Sequence, residues 1–256
     1  RILPWLRCSS IWTHQQPDCL PNVPSNQIVR FEKPAHGILR RISMLEKIQI
    51  PSDGTHMDIF LNDDDRAEAS SFLKQSCMIP KKFIYLNIGG SIPQKRWPVD
   101  NCISLAKLIL QETSLTIVLG GGPEDTARVD LIQKQLDRKR VTRVAHRPLR
   151  ANCALIAQAR MLITPDSGPM HLGFALKVPT IALFWGMDGQ GRNRNVLNGP
   201  EYCGPVEIEK NLCTVLCGNF TETKNEGTSE HFSSNQILVS EVWEEVLNFL
   251  KLTTDD

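Results

Sequence analysis

The chain has 256 residues, 41% of them hydrophobic, and a formal net charge of +1 at neutral pH. That is enough apolar material for one full domain and part of another, and the near-neutral balance carries no electrostatic footprint for a nucleic-acid partner. No apolar run reaches the length of a membrane span, and residues 1–20, broken by Pro4, Arg7 and His14, make a poor signal peptide, so the expected location is cytoplasmic.

Residues 1–24 mix Trp, Cys, Pro and Gln without a period of 2 or 3.6, and no element is predicted there. Residues 36–48 set Ile38, Leu39, Ile42, Leu45 and Ile48 on one side of a helix. Asp63-Asp64-Asp65, followed by Ala67, Phe72 and Leu73, reads as the capped start of a helix feeding an interdomain link. Helix starts favour acidic residues, so the three carboxylates need no metal.

From about residue 80 apolar runs alternate with amphipathic segments, the pattern of helices crossing between parallel strands. A strand over 83–88 ends in Gly89-Gly90-Ser91. After Lys95-Arg96-Trp97-Pro98, Cys102, Leu105, Ala106, Leu108 and Ile109 follow helical spacing. A strand over 115–119 leads into Gly120-Gly121-Gly122-Pro123-Glu124-Asp125 and a helix marked by Val129, Ile132 and Leu136. A strand over 141–145, a helix over 149–159, a strand over 161–164, a helix after Pro169 and a last strand over 180–184 complete the pattern. The predicted fold class is α/β, a doubly wound parallel sheet with helices on both faces. Beyond it, residues 218–234 read as a mobile loop, and Ile237, Val242, Val246 and Leu250, with Trp243 nearby, form the stripe of a packing helix.

In such a sheet ligands sit at the carboxyl ends of the strands, and three strand ends carry glycine-rich or capping turns. Gly89-Gly90, Gly120-Gly121-Gly122 and Ser167-Gly168 lack the bulk that would keep a pyrophosphate from the backbone. The turn Asp166-Ser167-Gly168-Pro169 has two readings. It is an ordinary helix cap, with Pro169 suited to the first turn, or the helix start binds an anion through its N–H groups and dipole. Lys95 and Arg96 bring positive charge beside the first turn, as phosphate contacts or as a solvated loop. Neither a full Gly-x-Gly-x-x-Gly fingerprint nor a P-loop is present, which removes support from dinucleotide oxidoreductase and P-loop NTPase readings.

Eight cysteines divide into two kinds. Cys77, Cys102 and Cys153 sit in apolar helical patterns and are expected to be buried thiols. Cys203, Cys213 and Cys217 fall in a long loop, where free thiols, a metal and a disulfide are all open; paired Cys-x-x-Cys spacing is missing.

Taken together, Asn87-Ile88-Gly89-Gly90-Ser91, Lys95-Arg96-Trp97-Pro98, Leu119-Gly120-Gly121-Gly122-Pro123-Glu124 and Asp166-Ser167-Gly168-Pro169-Met170-His171-Leu172 resemble the lipopolysaccharide heptosyltransferases of glycosyltransferase family 9. The resemblance covers residues 36–250. It implies a GT-B architecture with a C-terminal Rossmann-like nucleotide-sugar-binding domain over 81–256, and an incomplete N-terminal, acceptor-side domain and linker over 1–80. It implies transfer of a heptose from an ADP-activated donor to the lipopolysaccharide inner core, inverting and without a metal or other cofactor. The partners implied are the nucleotide sugar and the core acceptor, with peripheral contact at the inner face of the inner membrane.

By resemblance Lys95 neutralises the diphosphate leaving group, with Arg96 beside it, and Asp166 accepts hydrogen bonds from sugar hydroxyls. Ser167, Gly168 and the helix start hold phosphate oxygens, alongside Gly89, Gly90 and Gly121. Glu124 is a ribose or adenine contact, and His171 either donates to a phosphate or braces the turn. The family keeps its general base in an amino-terminal Gly-Asp turn, and no such turn precedes residue 30, so no catalytic residue is assigned. The chain also starts at Arg1, as expected of a fragment or processed product. Ala145-His146-Arg147-Pro148-Leu149 replaces the Gly-Lys-Thr-Ser-Leu expected in the family, and Trp185 looks inserted in Phe184-Trp185-Gly186-Met187-Asp188. The alternatives are a non-catalytic nucleotide-sugar-binding or interaction module and another GT-B enzyme such as a nucleotide-sugar epimerase.

Overall fold

The structure, a computed structural model, describes residues 24–28, 36–90, 93–144, 147–187, 199–206, 210–222, 232–235 and 237–251. They belong to two units, Arg1–Thr55 with Asn195–Gly204, and His56–Arg194 with Pro205–Asp256. In the smaller unit, helix α1 (Gly37–Lys47) is the one expected over 36–48. His36 caps it. Its Nδ1 accepts the Ile38 N–H at 3.2 Å and its Nε2 donates to Gly204 O at 3.0 Å, an arrangement that sets the imidazole tautomer. None of the α1 residues is fully buried.

The larger unit is built on a seven-stranded sheet: β1 (Phe83–Asn87), β2 (Thr116–Gly120), β3 (Val141–Arg143), β4 (Met161–Pro165), β5 (Thr180–Met187), β6 (Cys213–Glu222) and β7 (Phe232–Asn235). Their order is β3-β2-β1-β4-β5-β6-β7. The first six are parallel, and β7 adds to β6 antiparallel at the edge. Between them run α2 (Asp63–Gln75), α3 (Val99–Glu112), α4 (Thr126–Lys134), α5 (Leu149–Ala157), α6 (Gly168–Ala175) and α7 (Val239–Lys251). Strands covered on both faces read as continuous apolar runs, which is why Phe-Ile-Tyr-Leu and Met-Leu-Ile stand out in the sequence.

Alternation along β1 divides the core in two. Ile84 and Leu86 pack with Cys102, Leu105, Ala106 and Ile109 of α3, Val129 and Ile132 of α4, and Val242 and Val246 of α7. Phe83 and Tyr85 pack on the opposite face with Ala69, Phe72 and Leu73 of α2 and with Ala154, Leu155 and Ile156 of α5. The acidic run 63–65 starts α2 as expected. Asn62 Oδ1 accepts the Asp65 N–H at 2.8 Å, Asp65 Oδ2 accepts the Asn62 N–H at 2.9 Å, and the Asp65 carboxylate is also paired with Arg150 at 2.6 Å.

Two expectations are corrected, and one choice left open is narrowed. The strand over 180–184 is not the last: β6 lies parallel to β5, from Thr180 opposite Cys213 to Trp185 opposite Gly218, and with β7 it occupies much of the stretch read as a long and then mobile loop. Residues 223–231 of that stretch lie outside the described residues. Secondly, Cys213 and Cys217 are four positions apart on one strand, where a rise of about 3.3 Å per residue separates them by about 13 Å. That is too far for a disulfide or a shared metal ion. Cys203, in the helical turn Pro200–Cys203, Cys213 and Cys217 form no disulfide among the described residues, and no group of three or more His, Cys, Asp or Glu side chains placed to hold a metal occurs among those residues. Thirdly, Cys77 is exposed. It takes φ 53° just past α2, its N–H donating to Lys74 O while the Met78 N–H donates to Leu73 O, so the end of the helix turns it out of the core.

The inserted-looking Trp185 is absorbed by a register shift between Trp185 and Met187 against β6, a bulge that keeps the indole buried. Ala145, His146 and Asp188 lie outside the described residues.

Candidate functional site

In this strand order β1 has β2 on one side and β4 on the other, the switch point at which the connections reverse direction across an open parallel sheet. Turns leaving the carboxyl ends of β1, β2 and β4 line one cavity of about 280 Å³, with Asn87, Gly89 and Gly90 from the first, Gly121, Gly122, Glu124 and Asp125 from the second, and Ser167, Gly168 and Pro169 from the third. An adjoining cavity of about 420 Å³ shares Gly121, Gly122 and Asn152 with it and runs on to Arg143 and Val144 after β3 and Arg147 and Leu149 at the start of α5. Both volumes are of the order of small-molecule sites.

The glycines serve two different purposes. A Cβ on Gly89 would stand 2.5 Å from Asp125 Oδ2, and one on Gly121 would stand 2.9 Å from Asp125 Cβ. These two turns are therefore glycine so that the protein can close on Asp125. Gly168 is the opposite case: a Cβ there would meet nothing within 4 Å. No packing inside the protein requires glycine at that position, and it faces the cavity.

Asp125, which sequence reasoning missed, is fully buried. Its Oδ2 accepts the Gly122 N–H at 3.1 Å, and its Oδ1 lies 3.5 Å from Arg96 Nε, which donates to Gly90 O at 3.1 Å. Arg96 is thus held by its Nε. The signal available in the sequence was an acidic residue three positions into a helix start, the place from which a carboxylate reaches back to the cap. Asn87 was also missed as a site residue. Its buried amide reaches Gly89 O at 3.2 Å, Thr164 Oγ1 at 3.0 Å and Ser167 Oγ at 3.1 Å, tying the β1 turn to the β4 turn.

Ser167 precedes α6, but its side chain does not cap it. The hydroxyl donates to Pro165 O at 3.0 Å and lies 3.2 Å from Thr164 Oγ1. Among the described residues no acceptor takes the N–H of Ser167 or of Gly168. Of the two readings of this turn, side-chain capping is therefore absent, and two backbone donors are left beside the cavity at the positive end of a helix.

Lys95 and Asp166, assigned separate ligand contacts by resemblance, are joined to each other. Lys95 Nζ lies 2.5 Å from Asp166 Oδ2, with side chains 15% and 8% exposed. The strap that carries Lys95 and Arg96 is pinned by the buried Trp97, whose indole N–H donates to Ile237 O at 3.1 Å and whose carbonyl accepts from Arg128 Nη2 at 2.8 Å. Glu124 is exposed on the cavity rim. His171 does not line the cavity; its ring meets Phe174 edge to face at 6.1 Å. Tyr85 donates to Asn152 Oδ1 at 2.8 Å, and burial pushes its phenol well above the ordinary value, so it remains a neutral donor beneath the site.

The sequence model of glycosyltransferase family 9 (heptosyltransferase) matches residues 23–193, most of the chain and all three turns of the site. The chain belongs to glycosyltransferase family 9. Its likeness to solved structures of that family lies in the fold. It is 22% identical to E. coli ADP-heptose lipopolysaccharide heptosyltransferase II with a TM-score of 0.59, covering 80% of this chain and 56% of that one. Against a family 9 glycosyltransferase from Veillonella parvula the values are 22% and 0.66, over 88% and 64%. Against E. coli heptosyltransferase WaaC with ADP they are 17% and 0.59, over 88% and 60%. The family 9 chain described here thus spans between 56% and 64% of the length of these structures, and its α/β sheet is of their GT-B type. No curated protein matches it by sequence. No helix among the described residues is long and apolar enough to cross a membrane.

Proposed function

We propose that this family 9 chain binds a nucleoside-diphosphate sugar, ADP-heptose, at the β1/β4 switch point, and is the donor side of an inverting, metal-independent heptosyltransferase acting on the lipopolysaccharide inner core. The observation that carries the reading is Gly168, a glycine with no internal packing role beside two N–H groups that find no acceptor among the described residues. The diphosphate lies on the Ser167 and Gly168 N–H groups with Gly89 and Gly90 opposite. Lys95 and Arg96 supply the positive charge that a departing diphosphate requires, the role a metal plays elsewhere. Ribose and base extend past Gly121 and Glu124 into the larger cavity toward Arg147. Sugar hydroxyls reach Asp166. This chemistry stabilises charge on the leaving group; the proton from the acceptor hydroxyl needs a base outside these residues. An acceptor anchored in lipid would place the reaction at the inner face of the inner membrane.

The test is a calorimetric titration of the chain with ADP-heptose, with UDP-glucose as control, and of Gly168→Leu, whose side chain enters the open space. The reading expects selective ADP-heptose binding that falls at least ~10-fold in the variant, with no need for added divalent metal. Absence of binding, or equal binding by Gly168→Leu, would overturn it.

A further inference from the structure

We propose that Asn152, oriented by Tyr85, reads the ribose of the bound nucleotide and makes the site prefer a ribonucleotide to its deoxy analogue. The proposal rests on the donor reading above and deepens it. With the diphosphate on the Ser167 and Gly168 N–H groups in the smaller cavity and the base in the larger one, the sugar ring between them crosses where the two cavities meet. Gly121, Gly122 and Asn152 are the residues common to both walls. Among these three, Asn152 alone brings a side chain to the crossing.

The orientation of that amide is built into the fold. Tyr85 Oη donates to Asn152 Oδ1 at 2.8 Å, and among the described residues this is the acceptor that the phenol has. Burial keeps the phenol protonated. An amide turned the other way would leave a buried O–H without an acceptor, which is costly. Gly120 serves the same end: a Cβ there would stand 2.5 Å from Tyr85 Oη, so β2 carries glycine where the phenol passes on its way to Asn152. With its oxygen taken, Asn152 has two N–H donors left on Nδ2, and they find no acceptor among the described residues. A donor presented to the crossing ring matches an oxygen acceptor, and the hydroxyl oxygens of a ribose supply one. A deoxy sugar leaves the amide unpaired against the ligand, and a site built to bond a hydroxyl rejects the analogue that lacks it more strongly than an apolar pocket does.

The experiment titrates ADP and dideoxy-ADP, which lacks both ribose hydroxyls, into the unmodified chain, Asn152→Leu, Asn152→Ala and Tyr85→Phe, with thermal melts as a check of folding. The unmodified chain is expected to bind ADP at least ~10-fold more tightly than dideoxy-ADP. Asn152→Leu weakens ADP by about 10-fold and leaves dideoxy-ADP within about 2-fold of the unmodified chain, a split that general damage to the cavity would not produce. Asn152→Ala, which leaves room for water to take the Tyr85 proton, must show the same split, so misfolding of one variant leaves the other decisive. Tyr85→Phe frees the amide to rotate and loses part of the preference for ADP; a full preference in that variant overturns the positioning by Tyr85. If the unmodified chain binds ADP and the folded Asn152 variants keep its preference, or weaken both ligands alike, the role of Asn152 is overturned and the donor site stands. If the unmodified chain binds neither ligand, the donor reading itself fails and the role of Asn152 falls with it.

Discussion

Glycine at three strand ends looks like one motif, yet the residues around each one separate packing from binding. Alanine at position 89 must displace the buried Asp125 carboxylate, 2.5 Å from the new Cβ, and overpacking of this kind costs about 1–3 kcal/mol. Alanine at position 168 enters open space and leaves stability within about 0.5 kcal/mol of the parent. Urea denaturation of the two variants checks the contrast; a large loss in Gly168→Ala would mean that the turn needs glycine for its own geometry. Cysteine environments give a second test at this scale. Burial pushes the Cys102 thiol up to about 12, whereas Cys77 and Cys217 are exposed. Because the thiolate is the reactive form, a thiol reagent at about pH 8 labels Cys77 and Cys217 in the folded chain and spares Cys102. Rapid labelling of Cys102, read by peptide mass spectrometry, would contradict the packing of α3 on β1.

Helix α2 and helix α5 meet on one face of the sheet through a charged contact whose pH dependence has a definite sign. Asp65 accepts from Arg150 and from the Asn62 N–H, and these bonds hold its carboxyl below the ordinary carboxylate value. A group whose folded pKa is lowered stabilises the fold above its unfolded pKa, and that contribution is lost as pH falls through the folded value. The difference in urea midpoint between the parent and Asp65→Asn is therefore full at neutral pH and shrinks below about pH 4. A difference that persists unchanged in acid would mean that packing, not ionisation, is what Asp65 provides. The elements themselves were unequally legible in the sequence. Strands β1, β2 and β4 are buried on both faces, so their apolar runs and the turns after them could be read directly. Strand β6 could not, since Thr214, Gly218 and Asn219 interrupt its apolar pattern and its cysteines invite a ligand reading. Its strand state comes from pairing with β5 over Thr180 to Met187.

At the scale of the whole molecule, the order β3-β2-β1-β4-β5-β6 brings turns from residues 89, 121 and 168 to one place. That convergence followed from the alternation of strands and helices in the sequence, because the switch point of a doubly wound sheet is a property of topology. What did not follow was the wiring across it. Asn87 bridges to Ser167, Asp125 anchors the strap of Arg96, and Lys95 meets Asp166, all contacts between loops that are distant along the chain. No local pattern encodes such pairs. The central claim is that a nucleoside diphosphate is held at the start of α6 by backbone donors, and amide chemical shifts of the labelled chain during titration with ADP test it most directly. The account predicts that the Ser167 and Gly168 amides move most, with Gly89, Gly90 and Gly122 following at the same ligand concentration. ADP binding that leaves the Ser167 and Gly168 resonances in place while others shift would contradict it.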